Sequence, residues 1–296
     1  MGFLSAAEIA EVWGVSERSV RNYCAQGRVP GAFLTGKTWS IPADAAKPAR
    51  LNAKKPAANP LLTRLRDEKA SRVKGGIYHK IQVELTYNSN HIEGSRLSLD
   101  QTRLIFETAT IDVGVEPVRV DDIVETQNHF RAIDHIIDHA QDPLSEGMIK
   151  QLHRILKTST TDSAKSWFAV GEYKRLPNEV GGRRTALPED VGREIKALLK
   201  AYGPHSRHAL EDIIGFHVGF ERIHPFQDGN GRVGRLIMFK ECLANDVVPF
   251  IIADDMKVFY YRGLSEWDHE KGFLTDTCLA AQNKFKAELD YFRIGY

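Results

Sequence analysis

The sequence predicts an all-α domain interrupted by one β-hairpin and preceded by a small winged two-helix module. Three observations carry that reading. From about Leu61 onward, apolar residues recur at three- and four-residue steps in six segments. A single stretch, Asn178 to Pro188, sets two adjacent glycines between short extended pieces. The first 46 residues hold two short capped helices and an alternating segment, and residues 47–60 are a linker of proline, alanine, lysine and asparagine with few large apolar side chains. The expected division is therefore 1–46, 47–60 and 61–296.

At the N-terminus, Ser5 and Glu8 have capping-box spacing for a first helix, Ala6 to Trp13, with Ile9, Val12 and Trp13 on its apolar side. Gly14 ends it, Ser16 caps a second helix from Glu17 to Ala25, and Gly27 closes that one. Two short helices joined through a glycine turn make a helix-turn-helix pattern. Arg18, Arg21 and Asn22 are polar neighbours on the second helix, where side chains reach base edges or phosphates, while Val20 and Tyr23 face inward. Ala32 to Ile41 alternates as a hairpin wing around Thr35-Gly36-Lys37. The segment resembles the small winged helix-turn-helix modules of excisionase and MerR type, which implies a DNA partner for residues 1–46. Such modules often read paired half-sites as dimers, so a homodimer is one arrangement open to the chain.

Charge agrees with a nucleic-acid partner. Residues 1–60 hold eight basic groups against four acidic ones, +4, which leaves −3 for the remainder of a chain whose formal charge is +1. Gly31 to Thr38 also satisfies the phosphate-loop pattern GxxxxGK[ST] letter for letter. A working phosphate loop follows a buried strand and opens a helix. Here Pro30 precedes it and the short, strand-like Trp39-Ser40-Ile41-Pro42 follows, so the segment is read as wing.

In the body of the chain the helical segments are Ile77 to Glu93, Val120 to His139, Glu146 to Thr158, Val191 to Tyr202, His208 to Ile223 and Gly231 to Asn245, as in the spacing of Ile123, Phe130, Ile133, Ile136 and Ile137. No uncharged apolar run approaches the roughly 20 residues of a membrane span, and the first residues lack the basic-then-apolar layout of a signal peptide. A cytoplasmic protein without a membrane partner is expected. The three cysteines, Cys24, Cys242 and Cys278, are far apart and form no CxxC pair, so they are read as buried thiols.

The chemistry concentrates in twelve residues, His224-Pro225-Phe226-Gln227-Asp228-Gly229-Asn230-Gly231-Arg232-Val233-Gly234-Arg235. Gly229 and Gly231 permit positive φ, so successive N–H groups can converge on an anion. The apolar spacing of Val233, Leu236, Ile237 and Phe239 makes the rest a helix, whose N-terminus adds free N–H groups and its positive dipole end. Asp228 is a hard oxygen ligand suited to Mg²⁺ shared with phosphates. Arg232 and Arg235, three apart, can fork onto further phosphates. His224, with an unperturbed pKa near 6.5, can accept a hydroxyl proton at neutral pH. Phe226 is assigned to packing, and the isolated His217 to a structural role.

This segment resembles, without a gap, the HPFx(D/E)GNGRxxR signature of the Fic family, most of whose members transfer AMP from ATP to a protein hydroxyl. The resemblance implies a Fic helical bundle with ATP and Mg²⁺ as cofactors and His224 as catalytic base. Asp228 would hold the metal, while Gly229, Asn230, Gly231 and Gly234 border the phosphates. Arg232 would meet the β-phosphate and Arg235 the γ-phosphate. Glu172 to Pro188 looks like the family's flap, where Val180, Gly181, Gly182 and Arg183 would pair with an extended target segment as an added strand. Tyr260 and Tyr261 would border the adenine, and Asp268 stands near where relatives often have asparagine. Ser89-Asn90-His91-Ile92-Glu93-Gly94 resembles the family's inhibitory motif (S/T)xxxE(G/N), which implies that Glu93 pairs with Arg235 and restrains activity, and that the same site can remove AMP. The acceptor would be a hydroxyl of another protein or of this chain itself. The competing reading is a DNA-binding regulator whose body senses a nucleotide without catalysis; His224 tells the two apart, because a sensor needs no base there.

Overall fold

Helices make up most of the chain, and their ends fall where caps are available. The computed structural model describes all residues except Met1, Lys37, residues 49–58, Val113, Val115, Glu116 and Pro204. It divides into two units, Met1–Ala57 and Ala58–Tyr296. Most of the expected linker, residues 49–58, lies outside the described residues, as does Lys37 of the phosphate-loop pattern.

In the first unit, Ser5 and Glu8 cap α1 (Ala6–Trp13) reciprocally: the Ser5 hydroxyl accepts from Glu8 N and the Glu8 carboxylate accepts from Ser5 N. Gly14 closes the helix in the left-handed region, and Ser16 caps α2 (Glu17–Ala25). The wing is a hairpin of β2 (Phe33–Thr35) and β3 (Thr38–Pro42), joined by β1 (Phe3–Ser5) in an antiparallel sheet of order β1-β3-β2. A three-residue strand directly before a helix cap is too short to show alternation, so β1 escaped the sequence reading. Thr38 opens a strand rather than a helix, which fits the wing and not a phosphate loop. Ile9, Val20 and Ile41 are fully buried between helices and sheet. Val12, expected on the apolar side of α1, is instead 67% exposed, because the core lies against Ala6, Ile9, Ala10 and Trp13.

The second unit begins with α3 (Pro60–Ser71), capped by Asn59 through Leu62 N with Pro60 in the first turn, where its missing N–H costs nothing. The six expected segments appear as α4 (Ile77–Ile92), α6 (Val120–Asp138), α7 (Glu146–Lys157), α8 (Pro188–Tyr202), α9 (Leu210–Ile223) and α10 (Asn230–Ala244). Between and after them lie α5 (Leu99–Thr108), α11 (Lys257–Glu266) and α12 (Gly272–Tyr291). All residues from Arg232 to Leu243 are buried, which makes α10 the central element: Val233, Leu236, Ile237 and Phe239 face one apolar cluster, Met238 and Cys242 the other. The hairpin of this unit, β4 (Glu179–Val180) and β5 (Arg183–Arg184), turns at Gly181 and Gly182, whose φ values of 56° and 74° suit a type I′ turn. All three cysteines are buried and free. Among the described residues no helix is long and apolar enough to cross a membrane.

Three histidines of this unit, His129, His153 and His217, are at most 1% exposed, and each is pushed down to about 3, first by burial and then by neighbouring cations. The unfolded chain takes up their protons near pH 6.5, whereas the folded chain does not, so stability is full above that pH and is lost as pH falls toward 3. Glu221, raised to about 8 chiefly by burial, acts in the opposite direction, but it is one group against these three and His224, which burial also holds low. The melting temperature is expected to fall by about 5–10 °C from pH 7 to pH 5, read by circular dichroism; an unchanged value would show that these imidazoles are charged in the fold.

Candidate active site

The twelve-residue segment forms the corner between α9 and α10. Pro225 bars α9 from continuing, and His224 ends the helix in the left-handed region (φ 50°) with its N–H on Phe220 O at 2.9 Å. A non-glycine residue held there is strained and persists only where its surroundings fix it. Here the fixing group is Asn230: its side chain accepts from Phe226 N and donates to Phe226 O, both at 2.8 Å. Phe226 is fully buried and stacks on His153 with centroids 3.9 Å apart. Gly171 N donates to His153 Nδ1, which leaves Nε2–H to donate to Asp228 O at 3.2 Å and tie the loop to α7. Gly229 (φ 83°) then starts α10 with no side-chain cap, so the first-turn N–H groups are open to an anion.

A carboxylate already stands over that turn. A Cβ placed on Gly231 would lie 2.2 Å from Glu93 Oε1, so only glycine leaves room for the oxygen. Glu93 follows α4 and accepts from Arg235 Nη2 at 2.7 Å, while Ser89 holds the same guanidinium through Oγ (3.0 Å) and its carbonyl (2.9 Å). Arg235 is 4% exposed, and its Nη1 has no partner. The cradle therefore holds an anionic oxygen beside a guanidinium with a spare donor, the arrangement a phosphate needs.

The second arginine is held differently. Arg232 donates to Glu125 of α6 and to Asp228 at 3.2 Å. Buried Lys157 of α7 bridges the same two carboxylates, 2.5 Å from Glu125 and 2.6 Å from Asp228. Although burial opposes it, Arg232 and Lys157 hold Asp228 well below the usual carboxylate range. Asp228 is thus ionised and its side chain is about half exposed (48%), which fits a metal shared between one carboxylate and substrate phosphates.

His224 is partly buried and pushed down to about 4 by burial and then by the charge of Lys174, against the Glu221 backbone carbonyl and the Glu93 and Asp228 carboxylates. The imidazole is neutral at pH 7, the form that takes a proton, rather than half-titrating near 6.5 as the sequence suggested.

Two expected members of the site have other roles. Gly234 lies a turn inside α10, and a Cβ there would meet the His217 ring at 2.7 Å; the residue is small so that α9 and α10 can approach, and it does not face the cradle. Tyr260 is 1% exposed with its hydroxyl 2.6 Å from His217 Nε2, so it supports the core beside Arg235 instead of bordering an open pocket. Tyr261 does border one. It lines a cavity of about 470 Å³ with Val180, Gly181, Arg183, Arg222 and Leu264, and Asp268 pairs with Arg222 at 2.9 Å near it. Gly182 is not among the lining residues. Glu125, Lys157, Lys174 and Glu221 were not singled out in the sequence. For Lys157 a signal existed: it sits at core-facing spacing with Leu152, His153 and Leu156, where a lysine needs a carboxylate.

Comparison with known proteins agrees with this geometry. Residues 143–242 match the sequence profile of the Fic/DOC family. The chain is 25% identical over 186 residues to a protein adenylyltransferase Fic of Nematostella vectensis, covering 62% of this chain and 42% of that protein. It is 27% identical over 182 residues to the one of Culex quinquefasciatus, covering 60% and 35%. The chain thus spans less than half the length of these curated relatives. Among solved structures, a Fic domain containing signaling protein from Bacteroides thetaiotaomicron superposes with a TM-score of 0.57 at 28% identity, over 78% of this chain and 90% of that one. Fic-1 (aa134 - 508) from C. elegans shares the fold, with a TM-score of 0.60 at 20% identity over 79% and 70%. Corner, cradle and profile coincide on the same residues, and the chain carries a Fic/DOC family domain.

Proposed function

We propose that this chain is a protein adenylyltransferase that moves AMP from ATP to a hydroxyl of a target protein or of itself, and that Glu93 restrains it. The observation that carries the proposal is the neutral His224 at the mouth of a helix N-terminus whose guanidinium, Arg235, is already bound to a carboxylate. In the reaction the target oxygen forms a bond to the α-phosphorus, the bond to pyrophosphate breaks, and His224 takes the hydroxyl proton. The N–H groups at the start of α10 stabilise charge on the phosphate oxygens, and Arg232 and Arg235 neutralise the departing pyrophosphate. Asp228 would hold Mg²⁺, which supplies charge neutralisation across the phosphates when bound. Anions entering beside His224 raise its basicity, since nearby negative charge favours the imidazolium.

Glu93 and the γ-phosphate require the same Arg235 donors. While the carboxylate holds them, ATP sits with its α-phosphate misdirected. The same carboxylate can align a water to remove AMP from a modified protein. The β4–β5 hairpin borders the cavity lined by Tyr261, which supports reading the hairpin as the dock for a target strand and Tyr261 as the residue on the adenine side. The deciding experiment is mass spectrometry of the Glu93→Gly protein incubated with Mg²⁺ and each nucleoside triphosphate, which reports donor, acceptor residue and rate together.

The first unit is proposed to bind DNA. Val20 and Cys24 are buried, and Arg18 and Asn22 are exposed on the opposite side of α2, while Arg21 pairs with Glu17 at 2.6 Å. Fluorescence anisotropy of the full chain on duplex DNA is expected to show affinity that falls steeply with salt, and a several-fold loss on Arg18→Ala. No binding at low salt would overturn the DNA reading and leave a protein-docking or structural role for this unit.

A further inference from the structure

We propose that Lys174 is a positioning residue that locks the β4–β5 hairpin onto the backbone just before His224, so that hairpin and base keep one geometry. Lys174 is 3% exposed. Its N–H donates to Pro225 O at 2.9 Å, and its ammonium donates to Asn178 Oδ1 (2.7 Å), Thr185 Oγ1 (2.6 Å) and Ile223 O (3.4 Å). Asn178 and Thr185 are the two feet of the hairpin, joined to each other by the Thr185 hydroxyl on Asn178 O at 2.9 Å. Asn178 also donates to Phe226 O at 3.3 Å, and Leu176 N donates to Gln227 Oε1 at 3.2 Å. One ammonium thus spends its three donors on both feet of the hairpin and on the residue that precedes the base.

None of those acceptors is a carboxylate. A buried ammonium whose hydrogen-bond partners are all neutral is costly, and burial pushes Lys174 down to about 8, against the weaker pull of the Glu194 carboxylate on α8. An apolar side chain would avoid that cost but would leave Asn178 Oδ1, Thr185 Oγ1 and Ile223 O without their shared donor, so the ammonium is what joins the hairpin's feet to the backbone before His224. Its charge has a second effect on the site. His224 is faced by Glu221 from α9, Glu93 from the end of α4 and Asp228 from the loop before α10, and after burial Lys174 is the largest influence keeping the imidazole unprotonated. Locking the hairpin through a cation therefore keeps the base neutral while the site is empty.

The proposal rests on the adenylyl-transfer reading only for its kinetic consequence; hairpin mobility and His224 titration are measured without any reaction. In the full chain, Lys174→Met is expected to raise tryptic nicking at the exposed Arg183 and Arg184 by about tenfold while the circular dichroism spectrum is unchanged. The His224 resonance in NMR should titrate higher, by on the order of one unit. Lys174→Gln, which can still bridge Asn178 and Thr185 but carries no charge, should shift the His224 titration with little added nicking. If Glu93→Gly labels, adding Lys174→Met should raise KM for the acceptor more than it lowers kcat. Nicking at the parental rate in folded Lys174→Met, or in Lys174→Gln an unmoved His224 titration, overturns the proposal. Both shifts without any labelling would leave it standing and remove the transferase reading instead.

Discussion

Glu93→Gly protein is expected to transfer AMP roughly ten to a hundred times faster than the parent chain. A hydrogen bond between charged groups is worth about 1.5–3 kcal/mol net, and each 1.4 kcal/mol is a factor of ten. Removing the carboxylate frees the Arg235 Nη2 that it holds at 2.7 Å and clears the oxygen standing over Gly231. Helix α4 tolerates the change, because Glu93 lies at its end with φ −87° and Gly94 (φ 94°) makes the left-handed closure. A cost is expected as well. Arg235 is left buried with Ser89 as its hydrogen-bond partner and no facing carboxylate in contact, and an uncompensated buried charge costs about 3–5 kcal/mol. The variant should therefore melt lower than the parent without nucleotide and recover with ATP or pyrophosphate, a rescue the parent shows weakly. Absence of labelling with every nucleotide, in a variant that binds and is stabilised by them, would falsify the transferase assignment.

His224→Ala in that activated background is expected to lose about 10²- to 10⁴-fold in labelling rate, the usual contribution of a positioned base. Nucleotide affinity should change little, since the cradle consists of the start of α10, Asp228 and the arginines. Calorimetric titration with ATP separates the two effects. The pH profile carries a second signature: because His224 is held at about 4 in the free protein, kcat/KM should stay level through neutral pH and fall only as pH drops toward 4. A profile breaking near 6.5 would mean that the imidazole is solvated and Lys174 does not act on it. Labelling that survives His224→Ala intact would show that the hydroxyl proton leaves by another route and that His224 is not the base.

Most of the site was legible because its chemistry is local. Gly229, Gly231 and His224 lie within eight residues, and a turn followed by a helix needs only short-range signals: glycines for positive φ, a proline to stop α9, apolar residues to continue α10. The hairpin was legible for the same reason, since Gly181-Gly182 encodes its own turn. Local pattern fails where a side chain's role depends on what lies across the bundle. Tyr260 and Tyr261 are adjacent in sequence, yet the helix sends one into the core against His217 and the other to the cavity, and nothing in their order says which. Gly234 reads as one more glycine of the phosphate segment until the His217 ring is found 2.7 Å from where its Cβ would be.

The sequence by itself determined the helical class, the position of the hairpin, the glycine-rich corner between α9 and α10 and the residue types gathered there. Only the tertiary structure decided how those groups are charged and held. Lys157 and Glu125 come from α7 and α6 to fix Asp228 and Arg232, and Lys174 comes from the hairpin's base to act on His224. The physical reason is one of range. Turn and helix preferences act over a few residues of chain, whereas burial and Coulomb interaction act through space, between elements whose meeting is set by the packing of α10 at the centre of the fold.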